Sequence, residues 1–265
     1  MAASKDDQAQ ALLDWYRAMG VDEAIGEVSV DRFAAPAAEA APATPWPESK
    51  TSAKTPSTTP QQNSLLNGKS SGNPIETAAT LADLEALVGQ FEGCALKRTA
   101  KNLCFARGSD QARVMFIGEA PGRDEDLQGK PFVGRAGKLL DRMLASIGLS
   151  EDDAYITNTV YWRPPGNRTP TPQEIESCAP FLARQIELLK PDILVLLGGA
   201  AAKSILDTGE GIMRLRGKWL TYHSGGRDIP TIATLHPAYL LRTPGDKRLA
   251  WRDMLMVKQA LERKE

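Results

Sequence analysis

The chain has 265 residues, 42% of them hydrophobic and 25% charged, which is enough for one large core or two small ones. The formal net charge is −1, and the three cysteines are odd in number and widely spaced, which argues against a disulfide scaffold and favours a reducing compartment. No apolar run approaches the ~20 residues that span a bilayer, and the N-terminus lacks the features of a secretory signal, so we expect a cytoplasmic protein without a membrane segment.

The first 76 residues are predicted to lie outside the folded domain. Residues 1–32 contain a short amphipathic helix at 6–19, and residues 1–20 are a candidate contact site for a partner protein. Residues 33–76 are dominated by Ala, Pro, Ser and Thr, a composition that cannot offset its ordering entropy, so we expect a disordered linker. Residues 1–84 sum to −5 and residues 85–265 to +4, which is compatible with nucleic-acid binding but does not establish it.

Residues 77–265 form the predicted folded domain, in which strands and helices alternate. Apolar, β-branched-rich segments predict strands at residues 113–117, 154–160, 192–197, 218–222 and 231–235. Amphipathic segments predict helices at residues 80–91, 136–147, 172–189, 200–207 and 246–263. This alternation predicts an α/β fold, with three α/β/α layers around a central, mostly parallel four-stranded sheet.

Three motifs follow predicted strands, at the edge where ligands gather in such folds. They are GEAPG at residues 118–122, the pair Thr157 and Asn158, and HPAYLLR at residues 236–242. In the first motif, glycine and alanine leave room, proline fixes the turn and the carboxylate supplies a polar group. The three motifs together predict a small-ligand site.

Four sequence blocks extend these motifs. In order, they are GEAPGRDEDLQGKPFVGRAGKLLDRML, YITNTVYWRPPGNRTP, LRGKW and LHPAYLLR. They resemble family 4 of the uracil-DNA glycosylase superfamily over nearly all of residues 85–265. The resemblance implies a monofunctional glycosylase of base-excision repair that hydrolyses the N-glycosidic bond of deoxyuridine in single- or double-stranded DNA. We expect a monomer, and residues 1–20 become a candidate contact site for another repair protein.

The resemblance also implies roles for three pocket residues. Asn158 matches the asparagine that reads the Watson–Crick edge of the base, although its amide alone could equally satisfy a turn. Phe132 matches the aromatic residue that stacks on the flipped base, and its alternative role is a core phenylalanine. His236 begins a motif whose imidazole can donate toward uracil O2 as negative charge develops there.

Acidic residues of the first block are candidates for positioning the attacking water. Glu119 matches the family's glutamate and is the first candidate, and Glu125 is the second, although it could equally be a helix-start charge. Ala120, a further substrate-binding candidate, stands where other superfamily members carry a strong catalytic aspartate. The residues after His236 suit a DNA-binding tip that fills the hole left by the flipped base; they are Tyr239, Leu240, Leu241 and Arg242.

The sequence departs from the family at its iron–sulfur cluster. Family 4 enzymes typically hold a 4Fe–4S cluster on four cysteines, but only Cys94 and Cys178 match those positions here. The other two positions hold Phe91 and Trp162, and Cys104 matches none. Because a cluster needs close to a full set of thiolates, we expect no metal and no cofactor, with Cys94 and Cys178 packed as small hydrophobic side chains.

Two other functions remain open at this point. Some superfamily relatives trap uracil-DNA through a histidine in a basic loop, and the segment after Asn158 has neither that histidine nor that insertion. A catalytically weak or trapping uracil-DNA binding protein is still an alternative, because Ala120 replaces the usual aspartate. A nucleotide-binding protein that uses GEAPG for phosphate is a third, but the chain lacks the GxxxxGK[ST] loop.

Overall fold

The computed structural model describes residues 74–263. The predicted N-terminal helix, the linker up to residue 73 and the partner contact at residues 1–20 all lie outside the described residues. The helices are α1 Pro74–Thr77, α2 Leu81–Gln90, α3 Arg123–Gln128, α4 Arg135–Ser146, α5 Pro172–Leu189, α6 Gly199–Leu206, α7 Ile212–Leu215, α8 Pro237–Arg242 and α9 Lys247–Glu262. The strands are β1 Arg107–Gly108, β2 Val114–Gly118, β3 Ala154–Asn158, β4 Ile193–Leu197, β5 Trp219–Ser224 and β6 Arg227–Thr234. Within this part of the chain, no helix is long and apolar enough to cross a membrane.

The strands form one sheet in the order β1-β3-β2-β4-β6-β5. Its four central strands are parallel, and β1 and β5 add antiparallel edges. The predicted α/β architecture is confirmed, but the sheet has six strands rather than four. The two-residue β1 is too short to carry any periodicity, and β5 joins β6 as a hairpin partner rather than as a parallel strand.

Helices cover both faces of the sheet, which explains why the central strands are apolar along their whole length. Every residue of β2, β3 and β4 is buried, as expected for parallel strands between two helical layers. One face packs on α4 and α9 through residues such as Leu140 and Val257. The other face packs on α5 and α6 through residues such as Ile186 and Ala202.

Strand register sets the position of the motif residues at one edge of the sheet. Gly118, the last residue of β2, pairs with Asn158, the last residue of β3. Leu197 at the end of β4 pairs with Thr234 at the end of β6, two residues before His236. The carboxyl ends of all four parallel strands therefore meet where the three sequence motifs begin.

Candidate active site

A cavity of about 500 Å³ opens at this edge of the sheet. Its walls are the three predicted motifs, the turn after β4 and the segment 164–169. Eight of the ten predicted site residues line it, and these are Glu119, Ala120, Glu125, Phe132, Asn158, His236, Tyr239 and Arg242. Leu240 and Leu241 do not line the cavity.

The Asn158 amide is buried and has no hydrogen-bond partner among residues 74–263. The residue is 1% exposed, and within this part of the chain neither Oδ1 nor Nδ2 is hydrogen-bonded. A buried polar group left unsatisfied costs roughly 1–3 kcal/mol, so the amide is suited to a partner that enters the cavity. Gly118 is needed beside it, because a Cβ there would lie 2.4 Å from Asn158 Oδ1 and 2.5 Å from Phe132 Cζ.

Phe132 forms a wall of the cavity from an unusual backbone conformation. Its φ is 55°, in the left-handed region that non-glycine residues rarely adopt. The ring is 5% exposed, packs into the core on one side and lines the cavity on the other. Gly137 permits this turn, since a Cβ there would lie 1.7 Å from the Phe132 carbonyl oxygen. Both the core and the pocket interpretations of Phe132 are therefore compatible with its position.

The Glu125 carboxylate holds the loop that carries Phe132. Oε1 accepts hydrogen bonds from the backbone N–H groups of Val133, at 3.0 Å, and Gly134, at 2.8 Å. Oε2 accepts from the N–H of Gly122 at 3.1 Å, which closes the start of α3. Three backbone donors thus engage a carboxylate that is 9% exposed. Its observed contacts are those of a structural group.

His236 lines the same cavity as Asn158 and is neutral. Its Nδ1 accepts the N–H of Ala238 at 3.0 Å, so the ring proton is on Nε2. Burial, and then the charge of Arg242, lower its pKa to about 4. The imidazole centroid lies 5.6 Å from that of Phe132. Gly198, at φ 95°, leaves room for it, since a Cβ there would meet His236 Cβ at 2.9 Å.

Glu119 supplies a carboxylate at the cavity wall. Its carbonyl oxygen accepts from Thr159 Oγ1 at 2.7 Å and from the Val160 N–H at 3.4 Å, which fixes the backbone at this point. Within the described residues its carboxylate accepts no hydrogen bond, in contrast to that of Glu125. The neighbouring Ala120 is half-buried at the wall and contributes only a methyl group.

The predicted DNA-binding tip is a short helix, α8, rather than a loop. His236 caps it and Pro237 occupies its first turn. Leu241 is 37% exposed, whereas Leu240 is 1% exposed and packs with Leu235 and Ala250. The expectation that Leu240 belongs to the exposed tip that fills the hole left by the flipped base is thereby corrected: successive helical residues point about 100° apart, and Leu240 faces inward while Leu241 faces outward.

One wall of the cavity was missed by reasoning from the sequence. Arg168 lines it and forms a bidentate ion pair with Glu174, at 2.8 and 2.6 Å. The hydrogen bonds from Arg168 lower the pKa of Glu174 to about 2. Glu174 also completes the capping box of α5 with Thr171. The sequence signal for this wall is a basic residue between two prolines of the segment RPPGNRTP. That segment was used above only as one of the blocks that carry the family resemblance.

The cysteines do not fit a four-thiolate cluster. Cys94 and Cys178 are buried together, and the hydrogen bond between their thiols lowers the pKa of Cys94 and raises that of Cys178. The other two positions hold aromatic rings: Phe91 packs edge-on against Phe181 at 4.9 Å, and Trp162 is 3% exposed. In residues 74–263, no group of three or more His, Cys, Asp or Glu side chains could hold a metal ion.

Comparison with known proteins agrees with this site. The model of the Uracil DNA glycosylase superfamily matches residues 105–255. A type-4 uracil-DNA glycosylase of Archaeoglobus fulgidus is 44% identical over 62% of this chain and 85% of its own length. Those of Saccharolobus solfataricus and Thermotoga maritima are 43% and 39% identical, over 84% and 92% of their lengths and 67% and 66% of this chain. The chain belongs to the uracil-DNA glycosylase superfamily, among its type-4 members.

Proposed function

We propose that this protein hydrolyses the N-glycosidic bond of deoxyuridine in DNA, releasing uracil and leaving an abasic site for base-excision repair. The observation that carries the proposal is the buried amide of Asn158, which has no partner among the described residues and lies in a cavity that it shares with Phe132 and a neutral His236. Membership of the type-4 family supports the same activity.

Base selection follows from the chemistry of the amide. Asn158 can donate from Nδ2 to uracil O4 and accept at Oδ1 from N3–H, whereas cytosine presents the opposite pattern. Phe132 offers a ring face for stacking, which is worth roughly 1–3 kcal/mol per base and does not depend on base identity. The two residues are close enough that only a glycine fits between them. A flipped base would thus be held by its edge and its face at once.

Bond cleavage places negative charge on the departing base. As the C1′–N1 bond lengthens, its electron pair moves onto uracil, and His236 donates from Nε2 to O2. A neutral imidazole is sufficient for this role, because it stabilises the charge on O2 by a hydrogen bond and keeps its proton throughout. A water molecule adds to C1′, and Glu119, whose carboxylate accepts no hydrogen bond from the described part of the chain, orients that water and accepts its proton.

DNA binding is assigned to α8 and the surface around the cavity. Leu241 is the exposed apolar side chain that could fill the space left by the flipped nucleotide, and Arg242 supplies a cation for phosphate. Tyr239 donates from its hydroxyl to Asp246 Oδ2 at 2.6 Å, which holds the helix against the loop that follows it. We propose that the protein acts as a cytoplasmic monomer on single- and double-stranded DNA, without an iron–sulfur cluster.

Release of free uracil in a single turnover separates this function from its alternative. With enzyme in excess over a uracil-containing oligonucleotide, we expect uracil and an abasic strand in equal amounts. A variant with Glu119→Gln should bind the same DNA and release uracil more slowly. Tight binding of uracil-DNA with no free uracil, or a covalent protein–DNA product, would instead identify a binding or trapping protein.

A further inference from the structure

We propose that a second groove, behind helix α8, holds an unstacked base of the single-stranded DNA that flanks the uracil. The groove encloses about 200 Å³ between α4, α8 and α9. Its floor includes Leu240 and Met254, each 1% exposed. This inference rests on the proposed function, because it assigns the groove to the same DNA substrate.

Trp251 forms an exposed aromatic wall of this groove. The residue is 43% exposed, although an indole ring of this size is normally well covered in a folded chain. Aromatic side chains beside a cationic track are the usual platform on which proteins stack unpaired bases. An apolar floor with an indole beside it is therefore chemically suited to a nucleobase.

The rim of the groove is positively charged. Arg142 on α4 and Lys247 on α9 both line it and are both exposed. None of its lining residues, all within the described chain, is acidic. Two cations from separate helices around an apolar floor complement a phosphate backbone that carries bases, and this charge pattern favours nucleic acid over an uncharged apolar segment.

The groove and the uracil cavity both lie against helix α8. Tyr239 and Arg242 of α8 line the uracil cavity, while Leu240 of the same helix lines the groove. A helix is about 10–12 Å across, a distance that a short stretch of extended single strand can cover. A strand that enters the uracil cavity and passes over Leu241 therefore reaches the groove. In a duplex the base at that distance is paired, so the groove should act on single strands.

The test compares two exposed tryptophans. Trp251→Ala removes the groove wall, and Trp219→Ala, a residue 40% exposed on the edge strand β5, is its matched control. Binding of uracil-free single-stranded oligonucleotides of about twelve nucleotides is measured by fluorescence anisotropy. We expect Trp251→Ala to weaken binding by about 5-fold to 140-fold, which corresponds to a stacking energy of roughly 1–3 kcal/mol, and Trp219→Ala to have no effect.

Two further measurements make the result specific. Trp251→Phe should retain most of the affinity because a ring remains. The double change Arg142→Gln and Lys247→Gln should weaken binding and lower its salt dependence. Uracil release from a trinucleotide, too short to reach the groove, should be the same in Trp251→Ala and the parent. That last assay reports the proposed function separately from the groove.

Several outcomes would overturn the proposal. If Trp251→Ala and Trp219→Ala bound single-stranded DNA with equal affinity, the groove would not hold a DNA base. Its occupant would then be something else, such as a protein partner. An equal loss on duplex and single-stranded DNA would show that the groove does not hold an unpaired base. Absence of uracil release by the parent would refute the proposed function, while the anisotropy comparison would still decide the role of the groove.

Discussion

His236→Ala is the sharpest test of how the site breaks the glycosidic bond. The structure gives His236 a neutral ring with its proton on Nε2, because Nδ1 already accepts the Ala238 N–H and burial lowers the pKa to about 4. A donor that engages O2 only as charge develops stabilises the transition state rather than the bound substrate. Removal of such a donor costs about 10²–10³-fold in rate, equivalent to roughly 3–4 kcal/mol.

Single-turnover uracil release gives the rate, and anisotropy on a non-cleavable uracil analogue gives the affinity. We expect His236→Ala to lower the single-turnover rate by the full factor of about 10²–10³. Its affinity for the analogue should change little, since Phe132, Asn158 and the phosphate contacts remain. His223→Ala is the matched control, because that histidine is exposed and pairs with Asp228 on the β5–β6 hairpin, away from the cavity. Equal losses in rate and affinity, or no loss at all, would remove His236 from the chemistry.

Three further outcomes follow from the same geometry. Asn158→Asp should relax or invert the uracil preference, since a carboxylate cannot donate to O4; cleavage of uracil at the parental rate would show that another residue reads the base. Purified protein should be colourless and contain far less than one cluster equivalent of iron, which metal analysis and absorbance near ~400 nm would check. Unfolding stability should fall as pH drops from about 6.5 toward 4, because the unfolded chain binds a proton at His236 that the folded protein excludes; His236→Ala should flatten that part of the profile.

Much of the fold can be predicted because local signals agree with tertiary packing. The helix Pro172–Leu189 matches its predicted bounds, since Thr171, Pro172 and Glu174 form a complete N-terminal signal. The central strands are predictable because every residue of β2, β3 and β4 is buried. The two-residue β1 could not be predicted, because its pairing with β3 is decided by distant chain segments.

The site was predictable in its members but not in their roles. The resemblance identifies Asn158, and only the structure shows that both polar atoms of its amide are buried without a partner. Leu240 and Leu241 look equivalent in sequence, yet the helix places one in the core and the other at the surface. The hydrogen bonds of Glu125 to backbone groups up to nine residues away cannot be read from the local sequence either, because an acidic side chain in the first turn of a helix has several ordinary uses.

The contrast between Glu119 and Glu125 yields the last prediction, which concerns the attacking water. Glu125 is engaged by three backbone N–H groups, while the Glu119 carboxylate accepts no hydrogen bond within the described residues. Glu125→Gln replaces one acceptor oxygen with a donor, so at least one of these backbone N–H groups loses its partner, at a cost of roughly 1–3 kcal/mol. We expect a lower melting temperature, with binding and rate falling together as Phe132 loses its position.

Glu119→Gln should behave in the opposite way. It removes a proton acceptor from the cavity wall without breaking a contact, so the melting temperature should stay constant while the single-turnover rate falls by about 10²–10⁴-fold. Asp124→Asn, at an exposed position in the first turn of α3, is the control for charge alone. If Glu125→Gln kept the parental melting temperature and lowered only the rate, the attacking water would be positioned by Glu125. The carboxylate that closes the Phe132 loop would then be catalytic as well.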